Sequence, residues 1–350
     1  MSVIVPARNE EACLGSCLQS LVAQSGVSFE IIVVDDHSTD RTREIARSFP
    51  GVRVIEAGPL PEGWTGKNNA VTAGAREARG QWLLFTDADT VHLPGSLARA
   101  LAEAKAHHVD LLSYSPEQIV KSFWEKAVMP VIFAELASAY RPSEVSDPRS
   151  SAAAANGQYI LIKRETYDAA GGHAAIASSL LEDVVLARAV KQSGRRIFFR
   201  YGGDQVHTRM YRSFDQLLEG WTKNLALLFP SPGRLVLLRA LEFCLIVLSL
   251  ATSIRSSMRG MWQPAIACGL LALVLCGIFY KRIRRTHFAW DANLLALFGL
   301  PFFSYLLWRS KLFHARGEVS WKGRSYSPGS PESAPPPDTQ EKHGLSHAQS

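Results

Sequence analysis
Trp82-Leu83-Leu84-Phe85-Thr86-Asp87-Ala88-Asp89 decides the reading of this chain. A continuous apolar run of this length is the pattern of a strand buried on both faces. It ends in two carboxylates two positions apart. Ionised carboxylates are costly to bury unless paired. At the carboxyl end of a strand they occupy the place where open α/β sheets gather their ligands. Hard oxygen ligands of this kind hold Mg²⁺ or Mn²⁺, ions commonly shared with substrate phosphates.

Strands and helices alternate on both sides of that run. Val3-Ile4-Val5-Pro6 reads as a strand, and residues 10–24 carry Leu14, Leu18 and Leu21 at helical spacing. The β-branched run 31–34 ends in Asp35-Asp36, after which Thr39 or Asp40 caps a helix reaching residue 49. A strand at 52–55, a helix at 67–79, a helix from Pro94 to about 107 and a strand at 111–114 continue the pattern. It predicts an α/β fold with a mostly parallel sheet covered on both faces. Arg8, Asp36 and Asp87 then fall just beyond three different strands. Residues 123–140, apolar with Pro130 inside, read as an amphipathic segment lying on a membrane. A strand at 160–162, a helix at 180–192 with Glu182-Asp183 near its start, and a last strand at 196–201 follow.

Rival nucleotide motifs fail on spacing. Pro6-Ala7-Arg8-Asn9-Glu10 lacks a dinucleotide glycine fingerprint. A P-loop ending at Gly66-Lys67 would need glycine where Pro61 stands and Ser or Thr where Asn68 stands. His92, His107 and His108 read as solvated helix or loop histidines, and the five cysteines as small buried hydrophobes in a reducing compartment. The net charge of +6 is modest, and its basic clusters lack the interleaved aromatics of a nucleic-acid surface. They flank apolar segments, which favours a membrane as partner.

Residues 235–254 are long enough for one membrane span, since a bilayer core needs about 20 apolar residues. Arg239 and Glu242 interrupt it on one helical face, where they can pair. Residues 261–280 form a cleaner second span. Residues 292–308, with Gly299 and Pro301 in the middle, read as a third span or a re-entrant segment. Lys281, Arg282, Arg284 and Arg285 follow the second span, so the positive-inside rule places the preceding domain in the cytoplasm. The expected organisation is a catalytic domain at 1–230, membrane helices at 231–310, a basic interfacial segment at 311–326 and a disordered tail at 327–350. The expected location is the cell membrane, as a multi-pass protein. No secretory signal is expected, because Ser2-Val3-Ile4-Val5 is strand-like and too short for a signal core.

Val3 to Glu10, Val33-Val34-Asp35-Asp36-His37-Ser38-Thr39-Asp40, Asp87-Ala88-Asp89 and Glu182-Asp183, in this order, resemble the family 2 glycosyltransferases. The resemblance covers residues 1 to about 230 and implies the GT-A fold. Gly63-Trp64-Thr65-Gly66-Lys67, Asn156-Gly157, Gly171-Gly172-His173, Arg209-Met210-Tyr211, Glu219-Gly220-Trp221-Thr222-Lys223-Asn224 and Val319-Ser320-Trp321-Lys322-Gly323-Arg324-Ser325-Tyr326 extend it along the chain. These look like the membrane-bound, lipid-glycosylating branch: they resemble the carotenoid-acid glucosyltransferases of the diaponeurosporenoate type and, less strongly, hopanoid-associated and ceramide-type enzymes. The Gln-x-x-Arg-Trp motif of processive members is absent, since Leu217 and Gly220 stand in its first and fourth places before Trp221. Relatives in this branch often begin with a membrane helix, whereas this chain starts at the first strand.

The resemblance implies inverting transfer of a sugar from a nucleoside diphosphate donor, by default UDP-linked, to a lipid such as a carotenoid acid, a hopanoid or another isoprenoid or glycolipid. Pro6, Ala7, Arg8 and Glu10 would line the base and ribose pocket, Asp36 would contact the base and Lys67 would face the diphosphate. Asp89 would ligate Mg²⁺ or Mn²⁺, with Asp87 on the ribose or a metal-bound water. Asp183 would act as general base. Asn156, Gly172, His173, Glu182, Arg209, Trp221, Lys223, Trp321 and Arg324 are the remaining candidates for the acceptor side or the active site. Two other functions fit parts of the sequence. A sugar nucleotidyltransferase would want a glycine- and arginine-rich N-terminal signature and no spans. A non-catalytic membrane partner would have no need of Asp36, Asp87, Asp89 and Asp183.

Overall fold
The computed structural model describes residues 1–326; the expected disordered tail, 327–350, lies outside the described residues. The chain begins β1 (Ser2–Ala7), α1 (Leu14–Val22), β2 (Glu30–Asp35), α2 (Thr42–Arg47), β3 (Val52–Glu56), α3 (Gly66–Glu77) and β4 (Trp82–Phe85). It continues β5 (Thr90–His92), α4 (Ser96–Ala106), β6 (Leu111–Ser115), β7 (Glu117–Gln118), α5 (Phe123–Ala139), α6 (Pro142–Ser146), β8 (Ile160–Lys163) and α7 (Arg164–Ala169). Then come α8 (Glu182–Gln192), β9 (Ile197–Tyr201), β10 (Val206–Thr208) and α9 (Phe214–Asn224). Three long helices, α10 (Pro232–Met258), α11 (Trp262–Ile283) and α12 (Trp290–Arg316), precede a hairpin of β11 (Val319–Trp321) and β12 (Arg324–Tyr326).

Seven strands form one sheet in the order β3-β2-β1-β4-β8-β6-β9. All neighbours are parallel except β8, which runs against both β4 and β6. The period of two sorts the strand residues onto two cores. Ile4, Ile32 and Val34 pack with Ala70, Val71 and Ala75 of α3. Val3, Val5, Ile31 and Val33 pack with Leu14, Leu18 and Leu21 of α1. Gly74 lets α3 lie close, since a Cβ there would press on Ile4 and Val34. The expected mostly parallel, doubly covered sheet is therefore present, with β8 the reversed exception.

His92 corrects the expectation of a solvated histidine. It pairs β5 to β10 in a second, three-stranded sheet, and its ring lies buried beside the hydroxyls of Thr86 and Thr90. Burial pushes its pKa down to about 3, so the imidazole is neutral. Cys13 and Cys17 are buried thiols, as expected, but Cys244 is exposed and Cys268 and Cys276 are half-buried, because they lie on the outward faces of α10 and α11.

α10, α11 and α12 are each long and apolar enough to cross a membrane. α10 and α11 expose Leu237, Leu241, Leu248, Ile266, Leu270, Leu273 and Ile278. A continuous apolar surface of that kind marks a membrane or another interaction face. Arg239 and Glu242 pair at 2.8 Å, and Glu135 of α5 and Arg282 of α11 complete a buried network of two arginines and two glutamates. Mutual neutralisation is what makes such charges tolerable in an apolar setting.

α12 differs from its neighbours. Of its apolar window 44% is buried in the protein, against 11% for α10 and 17% for α11. Gly299 and Pro301 do not break it, contrary to the reading of a re-entrant segment; the helix is continuous from 290 to 316. Gly299 instead marks the crossing with α5, where a Cβ would strike the carbonyl of Ala127. Both ends of α12 are tied to the preceding residues. Asp291 pairs with Lys126 at 2.6 Å, Ser310 donates to the Thr222 carbonyl at 2.7 Å, and His314 contacts the Lys223 carbonyl at 2.7 Å. The segment read as basic and interfacial, 311–326, thus divides into the last turns of α12 and the β11–β12 hairpin.

Candidate active site
The carboxyl ends of β1, β2 and β4 open onto a cavity of about 840 Å³. Pro6, Ala7, Arg8, Glu10, Asp36, Lys67, Asp87 and Asp89 all line it. So do Asn156, Glu182, Asp183, Arg209, Trp221, Lys223, Trp321 and Arg324. Of the residues singled out in the sequence, Gly172 and His173 are not on its wall. His173 lies buried behind Glu182, with Nδ1 3.0 Å from the Tyr167 hydroxyl and its ring edge-on to Phe85. Burial lowers its pKa to about 4. Gly172 packs against the Tyr167 ring. Both support the wall from behind.

Asp35 and Asp36 separate cleanly. Asp35 is fully buried and bound by Arg43 at 2.7 Å, a structural strand-end pair. Asp36 faces the cavity and pairs with Arg324 of the C-terminal hairpin, with Nη2 2.9 Å from Oδ1. Lys322 of the same hairpin pairs with Glu10 and donates to the Arg8 carbonyl at 2.9 Å. The hairpin therefore closes one end of the cavity, some 300 residues away in sequence from β1.

Lys67 stands in the first turn of α3, whose N-cap is the Thr65 hydroxyl. Its ammonium lies 2.8 Å from Asp87 and 2.8 Å from Glu182. Burial works against its charge, but the two carboxylates outweigh that and hold its pKa well above the ordinary lysine range. Burial likewise opposes ionisation of Glu182, yet Lys67 and Lys223 keep that carboxyl below its usual value.

Asp89 and Asp183 go the other way. Burial first, and then the charges of Asp87 and Glu10, raise Asp89 to about 7. Its Oδ1 is buried without a hydrogen-bond partner among the described residues. Burial, and then Glu182, raise Asp183 to about 6. Asp183 is held by the Gly157 amide at 2.9 Å and by its own following amide, Val184, at 2.8 Å. Glu182 and Asp183, adjacent on α8, thus have different partners, as the helical geometry requires.

Arg209 is engaged by Glu125 through two bonds of 3.0 and 3.1 Å, so its charge is already matched. Trp221 packs edge-on to Tyr211 and Phe133, and its indole N–H has no partner among the described residues. The far end of the cavity is apolar. Phe133, Leu136 and Ala137 of α5 and the Tyr140 that follows it form one wall, joined by Leu228, whose carbonyl accepts from the Tyr140 hydroxyl at 2.9 Å. Arg285, Thr286 and His287, the turn between α11 and α12, close it, with the His287 ring stacked on Tyr201 at 4.1 Å. Sequence reasoning missed this wing, because nothing local in the Pro130-interrupted run distinguishes a cavity wall from a membrane-lying segment.

A carboxylate cluster at strand ends beside a lysine suits a phosphate-bearing ligand and a divalent cation, but geometry alone does not identify the family. The comparisons do. The model of glycosyl transferase family 2 matches residues 2–171. The 4,4'-diaponeurosporenoate glycosyltransferase of Staphylococcus aureus strain USA300 is 29% identical over 344 residues, covering 93% of this chain and 88% of the relative. That of strain MRSA252 is 30% identical over 341 residues with the same coverage. A mannosyltransferase from Pyrobaculum calidifontis, solved with GDP-Man and Mn²⁺, shares the fold at a TM-score of 0.51 and 18% identity, covering 89% of this chain and 86% of that one. Nearly full-length similarity on both sides leaves no room for a partial or chance match, and the chain belongs to the family 2 glycosyltransferases.

Proposed function
We propose that this glycosyltransferase is membrane-bound and transfers a sugar, with inversion, from a uridine diphosphate donor to a lipid acceptor of the carotenoid-acid kind. One observation carries the reading. A single cavity runs from the strand-end carboxylates, past Asp183, to the turn between two helices long enough to cross a membrane.

The donor occupies the end formed by Pro6, Ala7, Arg8, Glu10 and Asp36. The Asp36 carboxylate accepts the imide N–H of uracil once Arg324 shares or yields it. Lys67 meets the diphosphate from the N-terminus of α3, where backbone amides add positive potential. Asp89 and Asp87 suit a divalent cation: a buried carboxylate oxygen lacks a partner, and the group's raised pKa reflects crowded negative charge. No group of three or more acidic, His or Cys ligands occurs among the described residues. Mg²⁺ and Mn²⁺ are typically held by one or two carboxylates plus substrate phosphates, so the two aspartates fit. When bound, the ion supplies Lewis-acid stabilisation of the departing diphosphate.

Asp183 lies on the acceptor side. It takes the acceptor proton as the nucleophilic oxygen approaches the anomeric carbon from the face opposite the diphosphate. Glu182 keeps Lys67 oriented between the two sides. α10 and α11 cross the membrane, α12 lies along the base with α5, and the catalytic domain with the hairpin faces the cytoplasm, as the Lys281–Arg285 cluster favours. A calorimetric titration with UDP-glucose, with Mn²⁺ and in chelator, tests the donor assignment. Affinity should fall at least about tenfold in chelator, the scale of one lost ionic contact. Equal affinity in both would refute the metal assignment, and no binding in either would refute the UDP assignment.

A further inference from the structure
A lipid acid that arrives beside Glu182 and Asp183 meets two carboxylates, which repel it once ionised. A cation must offset them on the acceptor side. Lys67 is already committed to Asp87 and Glu182 at 2.8 Å each, and Arg209 to Glu125. Lys223 of α9 lines the cavity, interacts electrostatically with Glu182 and Asp183, and has no ion pair among the described residues. Its ammonium lies over the Trp321 ring at 5.3 Å, and its carbonyl is fixed by His314. The backbone is thus fixed by His314 and the ammonium rests over Trp321, with no ion pair among the described residues to take its charge.

We infer that Lys223 is the residue that selects an acidic acceptor, holding the lipid carboxylate at the mouth of the apolar wing lined by Phe133, Leu136, Tyr140 and Leu228. The inference rests on the reading of a lipid acceptor. The wing runs towards Arg285–His287, the turn that joins α11 to the base helix α12, so the apolar chain of the acceptor lies against apolar side chains at the membrane side of the site. In that apolar setting the acid travels neutral. At the site its proton passes to Asp183. A carboxylate oxygen, steadied by Lys223, then donates a lone pair to the anomeric carbon. The bond from that carbon to the diphosphate oxygen breaks, and its electron pair leaves with the nucleoside diphosphate. The product is a sugar ester, and Asp183 returns its proton to solvent. A Lys223 dedicated to the donor diphosphate would act instead on nucleotide affinity, which separates the two sources of anionic oxygen.

The test uses the full chain in nanodiscs, with all-trans-retinoic acid and all-trans-retinol as probes that differ only in the head group. Binding is read by tryptophan quenching, and UDP-glucose affinity is measured in parallel. Wild type should bind the acid at least about tenfold more tightly than the alcohol, the scale of one charge-assisted hydrogen bond. Lys223→Gln should erase that preference and Lys223→Arg should keep most of it. Wild type binding both probes equally, or neither, overturns the inference. So does a Lys223→Gln variant that keeps the acid preference or loses UDP-glucose affinity instead. Failure of wild type to bind UDP-glucose would strike the donor reading and leave the acid preference as a separate result.

Discussion
Replacing Asp183 by Asn should make the protein more heat-resistant at neutral pH while removing most of its activity. The carboxyl is raised from 3.8 to about 6, first by burial and then by Glu182. Its folded pKa therefore exceeds the unfolded one, and the protonated form is the stabilised form. The stability it contributes is fully present below pH 4 and is lost as the pH rises through 6. A shift of this size corresponds to about 3 kcal/mol between the two forms, and residual solvent contact reduces that to about 2 kcal/mol. Asn removes the charge but surrenders one of two accepting oxygens, now bonded to Gly157 and Val184, at a cost of about 1 kcal/mol. The variant should then gain on wild type between pH 5 and pH 7.5, by a few degrees in melting temperature. Turnover needs the ionised base, so wild-type kcat should drop about tenfold from pH 7 to pH 5, and Asp183→Asn should lower it about 10²-fold or more at pH 7. Thermal unfolding across that pH range, with initial rates on the same samples, decides the matter. A variant whose stability follows wild type at every pH, or whose turnover is unchanged, refutes the assigned role.

Two further outcomes concern the membrane base. Gly299→Leu should push α12 off α5 at the Ala127 carbonyl and destabilise the protein by about 2 kcal/mol, read by thermal unfolding in detergent. Because the hairpin carries Arg324 to Asp36, Ser320→Cys in a cysteine-free background should resist an impermeant thiol reagent on intact cells and label after lysis. Labelling of intact cells would place the hairpin, and the cavity it closes, outside.

The sheet was legible because its strands are near-continuous apolar runs with carboxylates at their ends. β1, β2 and β4 begin and end within a residue or two of where pattern reading places them. Helix starts were less legible: α1 begins at Leu14, not at residue 10, because Glu10 is spent on the cavity wall and on Lys322. The pair Arg239–Glu242 could be read from spacing, but Glu135 and Arg282 join it only through tertiary packing. The same holds for the hairpin. Trp321 to Arg324 reads from sequence equally well as an interfacial anchor or as part of the site, and only the long-range pairs of Lys322 with Glu10 and Arg324 with Asp36 put it on the cavity wall. Gly299 and Pro301 misled for a related reason. A helix packed against α5, α9 and α10 can carry both, because its neighbours support the backbone there.

The central claim is that this one cavity joins a nucleotide sugar to a membrane lipid. The most direct measurement is to incubate the purified full chain in nanodiscs with UDP-[¹⁴C]glucose, Mn²⁺ and a long-chain carotenoid acid, and to count label in the chloroform phase. Mass spectrometry of that phase should show the acid heavier by one hexose residue, and base treatment should release the sugar as an ester does. Asp89→Ala and Asp183→Asn should leave the label in the aqueous phase. Label that stays aqueous with wild type, or that enters the lipid phase equally well with both variants, would contradict the account.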